Sequence, residues 1–90
     1  MKIVFSSVAW EHYLHWQNTD AKLATRINDL IRDTTRNPFV GIGKPEPLRN
    51  ELSGFWSRRI NDEHRFVYRV VGKGQEQALE ISACRFHYRG

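Results

Sequence analysis

The spacing of apolar positions along the chain changes from a helical to a strand period near its middle. Lys2 to Phe5 is a short β-branched and aromatic run that reads as a strand, and Ser6-Ser7 supply hydroxyls able to accept orphan backbone N–H groups at a helix start. From Val8 to Gln17, Trp10, Tyr13 and Leu14 recur at i, i+3 and i+4, which predicts a short helix with those side chains on its buried stripe, ended by Asn18. Thr19-Asp20 caps a second helix in which Leu23, Ile27, Leu30, Ile31 and Thr34 follow i, i+4, i+7, i+8 and i+11. Asn37-Pro38 stops it, because proline disfavours helical geometry in the residue before it and cannot donate a helix hydrogen bond.

Pro38 to Asn50 holds three prolines and two glycines with no period, and reads as a loop. Prolines on both sides of Glu46 restrict its backbone and hold the carboxylate at lower conformational entropy than a flexible loop would. After Gly54 three strand-like runs follow, Phe55 to Ile60, His64 to Val71 and Ala78 to Arg85, separated by Asn-Asp-Glu and Gly-Lys-Gly. The order β-α-α-β-β-β predicts an α+β fold, with two N-terminal helices packed on one face of a mostly antiparallel, twisted sheet.

The register of the first C-terminal hairpin follows from its aromatic residues. A three-residue loop at Asn61-Asp62-Glu63 sets Ile60 opposite His64, Arg58 opposite Phe66 and Trp56 opposite Tyr68, whereas a two-residue turn scatters the aromatic rings over both faces. The three-residue loop also puts Arg59 opposite Arg65. Two arginines side by side destabilise a sheet unless an anion binds between them.

Ninety residues suit one domain, 1–90, and the single cysteine, Cys84, excludes an internal disulfide. The lack of an apolar run near the ~20 residues of a membrane span, and the early polar break after Phe5, point to a cytoplasmic protein without a secretory leader or membrane contact. Five basic against four acidic residues precede Gly43, while nine against six follow it, so the positive surplus lies in the second half and favours a polyanionic partner.

A fixed carboxylate, a pair of arginines and a histidine near the last strand suit RNA cleavage without a metal, with Glu46, Arg59 with Arg65, and His87 as the candidates. Each residue also has an ordinary reading. A stiff, solvated loop accounts for Glu46, and a frayed tail for His87 and Tyr88. Strict alternation along the last strand even sets His87 on the core side with Leu79, Ile81 and Ala83. Core or rim packing accounts for Trp10, Trp16 and Trp56, a small apolar filler for Cys84, and a pair without a third ligand for His12 and His15.

The run GKPEPLRNELSGFWSRRINDEHRFVYRV from Gly43 to Val70, the terminal ACRFHY from Ala83 to Tyr88 and the amino-terminal KIVFSSVAWEHYLHWQ together resemble the YoeB-type toxins of the RelE/ParE superfamily. KPEPL, SGFWSRRI, EHR-x-x-Y and HY occur in order and span nearly the whole chain. The resemblance implies a fold like that of small microbial ribonucleases and a ribosome-dependent endonuclease that cuts messenger RNA in the ribosomal A site by 2′-hydroxyl transesterification. By position it implies Glu46 as general base, Arg65 as the phosphate-stabilising arginine, His87 as general acid and Tyr88 as a substrate-positioning residue. Lys44, Arg49 and Arg59 match basic positions that contact phosphate. It further implies no metal or cofactor, a YefM-like antitoxin and the ribosome as partners, and a homodimer. Two other classes stay open: a gyrase inhibitor like the ParE branch, which needs no Glu/His pair, and a module that binds RNA or the ribosome without chemistry. Two departures are a longer turn from Gly72 to Gln77 and the Arg89-Gly90 extension, which bears on the placement of His87 and Tyr88.

Overall fold

Hydroxyl and carboxylate caps start both helices. Ser6 accepts the Ala9 N–H at 3.0 Å, and Asp20 accepts the Leu23 N–H at 3.2 Å. In the computed structural model, which describes residues 1–87, β1 (Lys2–Phe5) leads into α1 (Ser7–Thr19) and α2 (Ala21–Arg36). The strands β2 (Glu46–Pro47), β3 (Trp56–Arg59), β4 (Arg65–Val71) and β5 (Ala78–Ala83) follow. The five form one sheet in the order β1-β5-β4-β3-β2, antiparallel throughout except for the parallel pair β1 and β5. Ala24, Ile27 and Leu30 of α2 and Ala9 and Trp16 of α1 share one core with Ile60, Phe66, Tyr68, Leu79 and Ile81 of the sheet region. No helix among the described residues is long and apolar enough to cross a membrane.

The predicted elements are present, with two differences that matter for position. The most buried residues of α1 are Ala9 and Trp16; of the Trp10–Tyr13–Leu14 stripe, Tyr13 and Leu14 are half-buried and Trp10 is 45% exposed. The Trp16 indole N–H donates to the Cys84 carbonyl at 2.8 Å, which turns the Ala9–Trp16 line toward the sheet. Trp10 remains at the rim against Phe5 and Tyr13. The second difference lies inside the proline-rich loop, where Glu46 and Pro47 form an edge strand on β3, with Glu46 opposite Ser57. Proline is tolerated there because an edge strand can leave one side of its ladder unused.

One buried arginine organises the connection from α2 to β2. Arg58 has no exposed surface, and all five of its N–H donors are used. Nε donates to the Tyr68 hydroxyl, Nη1 to Asp33 Oδ2 at 2.6 Å and to the Ile42 carbonyl, and Nη2 to the carbonyls of Asn37 and Val40. Tyr68 passes the network on by donating to the Pro38 carbonyl. Asp33 also accepts the Ile42 N–H at 2.9 Å. The loop presses so closely on this centre that a Cβ on Gly41, whose φ is +134°, would stand 2.0 Å from Asp33 Oδ2. Gly43, with φ +78°, has its carbonyl bonded to the Arg59 N–H at 2.6 Å, and a Cβ there would meet Leu30 and Arg59.

The β3–β4 hairpin has the register that its aromatic residues predict: Trp56 pairs with Tyr68, Arg58 with Phe66 and Arg59 with Arg65. The like-charge pair carries a compensation that spacing could not reveal. Arg65 Nη1 donates to the carbonyls of Asn61 at 2.7 Å and His64 at 3.1 Å, while Asn61 Oδ1 accepts the N–H groups of Glu63 and His64. These bonds fasten the turn. At about 0.5–1.5 kcal/mol each they outweigh a like-charge penalty of about 0.2–1 kcal/mol.

Both networks can be tested by substitution. Arg58→Leu strands Asp33 and three loop carbonyls and should lower unfolding free energy by about 3–5 kcal/mol, read by denaturant titration; Arg58→Lys should recover only part, since an ammonium lacks the fork of donors. The Ile42 N–H, and after it the Arg58 guanidinium, hold the Asp33 carboxyl below its ordinary value of 3.8. A depressed carboxyl contributes stability above its unfolded pKa and loses it as pH falls through the folded value. Unfolding free energy should therefore decline below about pH 4, and Asp33→Asn should flatten that decline. For the hairpin, Arg65→Gln should lower the melting temperature by a few degrees, at roughly 4–8 °C per kcal/mol for a domain of this size; an increase would mean that the repulsion dominates.

Candidate active site on the sheet face away from the helices

Alternation along paired strands assigns each side chain to a face. Trp56, Arg58, Phe66 and Tyr68 point toward the helices, so Ser57, Arg59, Arg65 and Val67 belong to the opposite face, and Glu46, paired with Ser57, belongs there too. Arg59 and Arg65 are adjacent across the ladder, and Glu46 lies two residues along β3 from Arg59 on the neighbouring strand. With strands about 4.8 Å apart, the carboxylate strand and the Arg65 strand are separated by about 10 Å, a span that a phosphodiester and its flanking ribose can bridge. Glu46 and Arg59 are exposed and Arg65 half-buried.

The basic candidates surround this row. Lys44 is exposed and takes a φ of +52°, directly after the Gly43 carbonyl that bonds to Arg59. Arg49 is exposed and starts the short turn at Asn50–Leu52. Further along the same face, Arg69 pairs with Glu80 at 2.7 Å and lies over the Phe55 ring. Part of the positive surplus of the second half is thus neutralised, and Arg58 spends its charge on Asp33. Arg59, Arg65, Lys44 and Arg49 are not among the ion pairs of the described residues.

The last strand brings His87 to the other side of the arginines by a device that strict alternation misses. Tyr68 pairs with Ile81, but its neighbour Val67 pairs with Ala83, so the ladder carries one extra residue and a register shift. The shift reverses parity: Cys84 rather than Ala83 enters the core, which removes the objection that His87 must face inward. Beyond the strand the Arg65 N–H donates to the Phe86 carbonyl at 3.0 Å, which sets His87, exposed, next to the Arg65 strand. The carboxylate strand and the His87 segment flank the arginine pair. Tyr88 lies outside the described residues.

Three residues acquire parts that the sequence did not assign. Arg58 supports the loop that delivers Glu46. His12, which with His15 lacks a third ligand for a metal, accepts the Cys84 N–H on Nδ1 at 3.2 Å, and His64 accepts the Phe86 N–H on Nδ1 at 2.8 Å. Burial, then the charges of Arg85, His15 and His64, lower the His12 pKa. Cys84 is fully buried, and burial pushes its thiol up to about 12, so it is an apolar filler and not a nucleophile.

Comparison with known proteins agrees with this fold. Residues 5–88 match the model of the YoeB-like toxin of bacterial type II toxin-antitoxin systems. Toxin YoeB of Escherichia coli (strain K12) is 54% identical over 88 residues, covering 98% of this chain and 100% of that protein. The solved YoeB/ParE toxin from Agrobacterium tumefaciens superimposes with a TM-score of 0.94 at 57% identity, covering 98% of this chain and all of the other. YoeB from Staphylococcus aureus, solved as a complex with YefM, matches with a TM-score of 0.86 at 42% identity, covering 98% of each chain; its dimer matches at 0.87 and 43%, with the same coverage. A family model spanning most of the chain, relatives identical at half their positions over full length and a superimposable backbone lead to one assignment: the chain belongs to the YoeB-like toxins of bacterial type II toxin-antitoxin systems.

Proposed function

We propose that the chain is a toxin endoribonuclease that cuts messenger RNA in the ribosomal A site, by attack of a ribose 2′-hydroxyl on the adjacent phosphodiester, and so stops translation in the cytoplasm. The observation that carries this reading is the order across the sheet face: carboxylate strand, arginine pair, histidine segment. In-line transesterification needs a base on the side of the nucleophile, cations beside the crowded phosphorane and an acid on the side of the leaving group. Glu46 takes the 2′-hydroxyl proton as the O2′–P bond forms, Arg65 and Arg59 stabilise the added negative charge, and His87 gives its proton to the 5′-oxygen as the P–O5′ bond breaks. Side chains supply both proton transfers, so the scheme is complete without a metal or cofactor. Lys44 and Arg49 hold neighbouring phosphates, and Tyr88 helps to position the substrate. The ribosome holds the messenger in a near-attack conformation and so bears the ordering entropy that the toxin need not.

The Staphylococcus aureus complex supports a YefM-like antitoxin as the neutralising partner, and the dimer from the same organism supports a homodimer. An antitoxin segment rich in carboxylates would pair with Arg59 and Arg65 and compete with the messenger for them.

The proposal predicts that Glu46→Ala and His87→Ala each slow single-turnover cleavage on ribosomes by about a hundredfold or more, the usual contribution of general acid–base catalysis; wild-type rates in both would remove them from these roles. A messenger with 2′-methoxyribose at the cut position should resist, and efficient cutting of it would exclude transesterification. Mapping transcript 5′ ends after induction should show cuts in phase with codons, whereas DNA damage without cuts would indicate a gyrase inhibitor. Antitoxin affinity should fall as salt rises, and a flat response with Arg65 left accessible would contradict the proposed interface.

A further inference from the structure

The segment after β5 has few regular hydrogen bonds, yet the main-chain polar groups of Cys84 and Phe86 are held one by one. Cys84 N–H donates to His12 Nδ1, and its carbonyl accepts from Trp16 Nε1. Phe86 N–H donates to His64 Nδ1, and its carbonyl accepts from the Arg65 N–H. Phe86 has a φ of +68°, a left-handed conformation that a bulky L-residue rarely adopts and that persists only where its surroundings enforce it. The restraint on both sides of the Phe86 peptide comes from one place, residues 64 and 65. His64 is itself fixed, with its ring 4.8 Å from the Trp16 ring and near-perpendicular to it. The Phe86 ring meets His12 edge-on at 5.8 Å.

We infer that His64, with His12 in support, is a positioning residue whose Nδ1 latches the C-terminal segment so that His87 is presented beside Arg65. This rests on the role proposed above for His87. A hydrogen bond from a main-chain N–H requires Nδ1 unprotonated and the proton on Nε2. An imidazolium has two donors and no acceptor, so protonation of His12 breaks its bond to the Cys84 N–H and leaves two N–H groups facing each other. The surroundings bear on that step. Arg85, His15 and His64 act on His12; the Arg85 guanidinium is wedged between the Trp16 and Phe86 rings, with its Nε buried without a partner among the described residues. Around His64, Glu63 Oε2 lies 3.9 Å from Nε2 and the Arg65 guanidinium bonds to the His64 carbonyl. The lowered pKa of His12 gives the sign: its neutral form is favoured in the folded protein, so its bond is complete above the ordinary value of 6.5 and is lost as pH falls through the folded value. Mild acid should thus loosen the segment at Cys84.

The test uses the full chain and two independent measurements. Asn places its side-chain oxygen the same number of bonds from Cβ as His Nδ1 and cannot be protonated, so His64→Asn keeps the acceptor and His64→Leu removes it. By NMR, exchange of the Phe86 amide hydrogen should accelerate roughly tenfold or more in His64→Leu, the protection that one net hydrogen bond confers, and return near wild type in His64→Asn. In the wild type the Cys84 amide, held by His12, should lose protection on acidification. Single-turnover cleavage should fall by up to about a hundredfold in His64→Leu, the effect of a misplaced catalytic group, and recover in His64→Asn. The exchange experiment needs no RNA. If the Phe86 amide responds as expected while His87→Ala cleaves normally, the latch stands and the role of His87 fails. If Phe86 exchange is unchanged in His64→Leu, or equally fast in Leu and Asn variants, the latch is wrong whatever the cleavage rates.

Discussion

The burial of Arg58 is the constraint on which the rest of the structure depends. A guanidinium without solvent contact must satisfy five donors inside the protein, and Arg58 does so with one carboxylate, one phenol and three carbonyls drawn from the segment between α2 and β2. Those carbonyls have no helix or sheet ladder of their own, so the arginine is both a costly group and the template that gives the loop its shape. The loop then runs through Gly43 into the short strand that sets Glu46 on the edge of the sheet. Successive residues of a strand face opposite ways, so β3 carries the loop's organising arginine on one face and Arg59 of the candidate site on the other, one peptide bond apart. Distortion at Asp33 or Gly41 should therefore be felt at Glu46 although neither faces the site.

A similar economy operates on the other side of the arginine pair. Arg65 contributes its guanidinium to the turn, its backbone N–H to the Phe86 carbonyl and its strand position to the like-charge pair. Turn, arginine pair and C-terminal segment are thus fixed from consecutive residues, Asn61 to Arg65. The face gathers positive charge without unfolding because part of that charge is used locally, by turn carbonyls and by the Arg69–Glu80 pair.

Much of this was legible in the sequence. The helical period of Leu23, Ile27, Leu30 and Thr34 located α2 and its buried face, and the demand that Trp56 and Tyr68 share a face fixed the hairpin register and with it the Arg59–Arg65 pair. Three features were not. The same register set Arg58 among aromatic residues on the core side, a signal that a buried charge needed partners, but the partners are mainly carbonyls, which no residue type encodes. The extra residue between Ile81 and Ala83 changes the parity of the tail and involves serine and alanine, which mark no bulge. The buried face of α1 departs from its apolar period because the decisive interaction, Trp16 with the Cys84 carbonyl, joins residues 68 apart in sequence. The motifs KPEP, EHR and HY located the candidate residues through resemblance, while the sheet brings Glu46, Arg59 and Arg65 to one face and sets His87 beside the Arg65 strand.

The central claim is that this face cleaves RNA with its own carboxylate, arginines and histidine through the substrate's 2′-hydroxyl. The chemistry of the fragment ends tests it most directly, by mass spectrometry of a short messenger cut by the purified toxin on ribosomes. The arrangement predicts an upstream fragment ending in a 2′,3′-cyclic phosphate, with any 3′-phosphate arising from its later opening, and a downstream fragment beginning with a 5′-hydroxyl. An upstream 3′-hydroxyl with a downstream 5′-phosphate would show that water, not the ribose, attacks phosphorus, and would contradict Glu46 as the base for the 2′-hydroxyl and His87 as the acid for the 5′-oxygen.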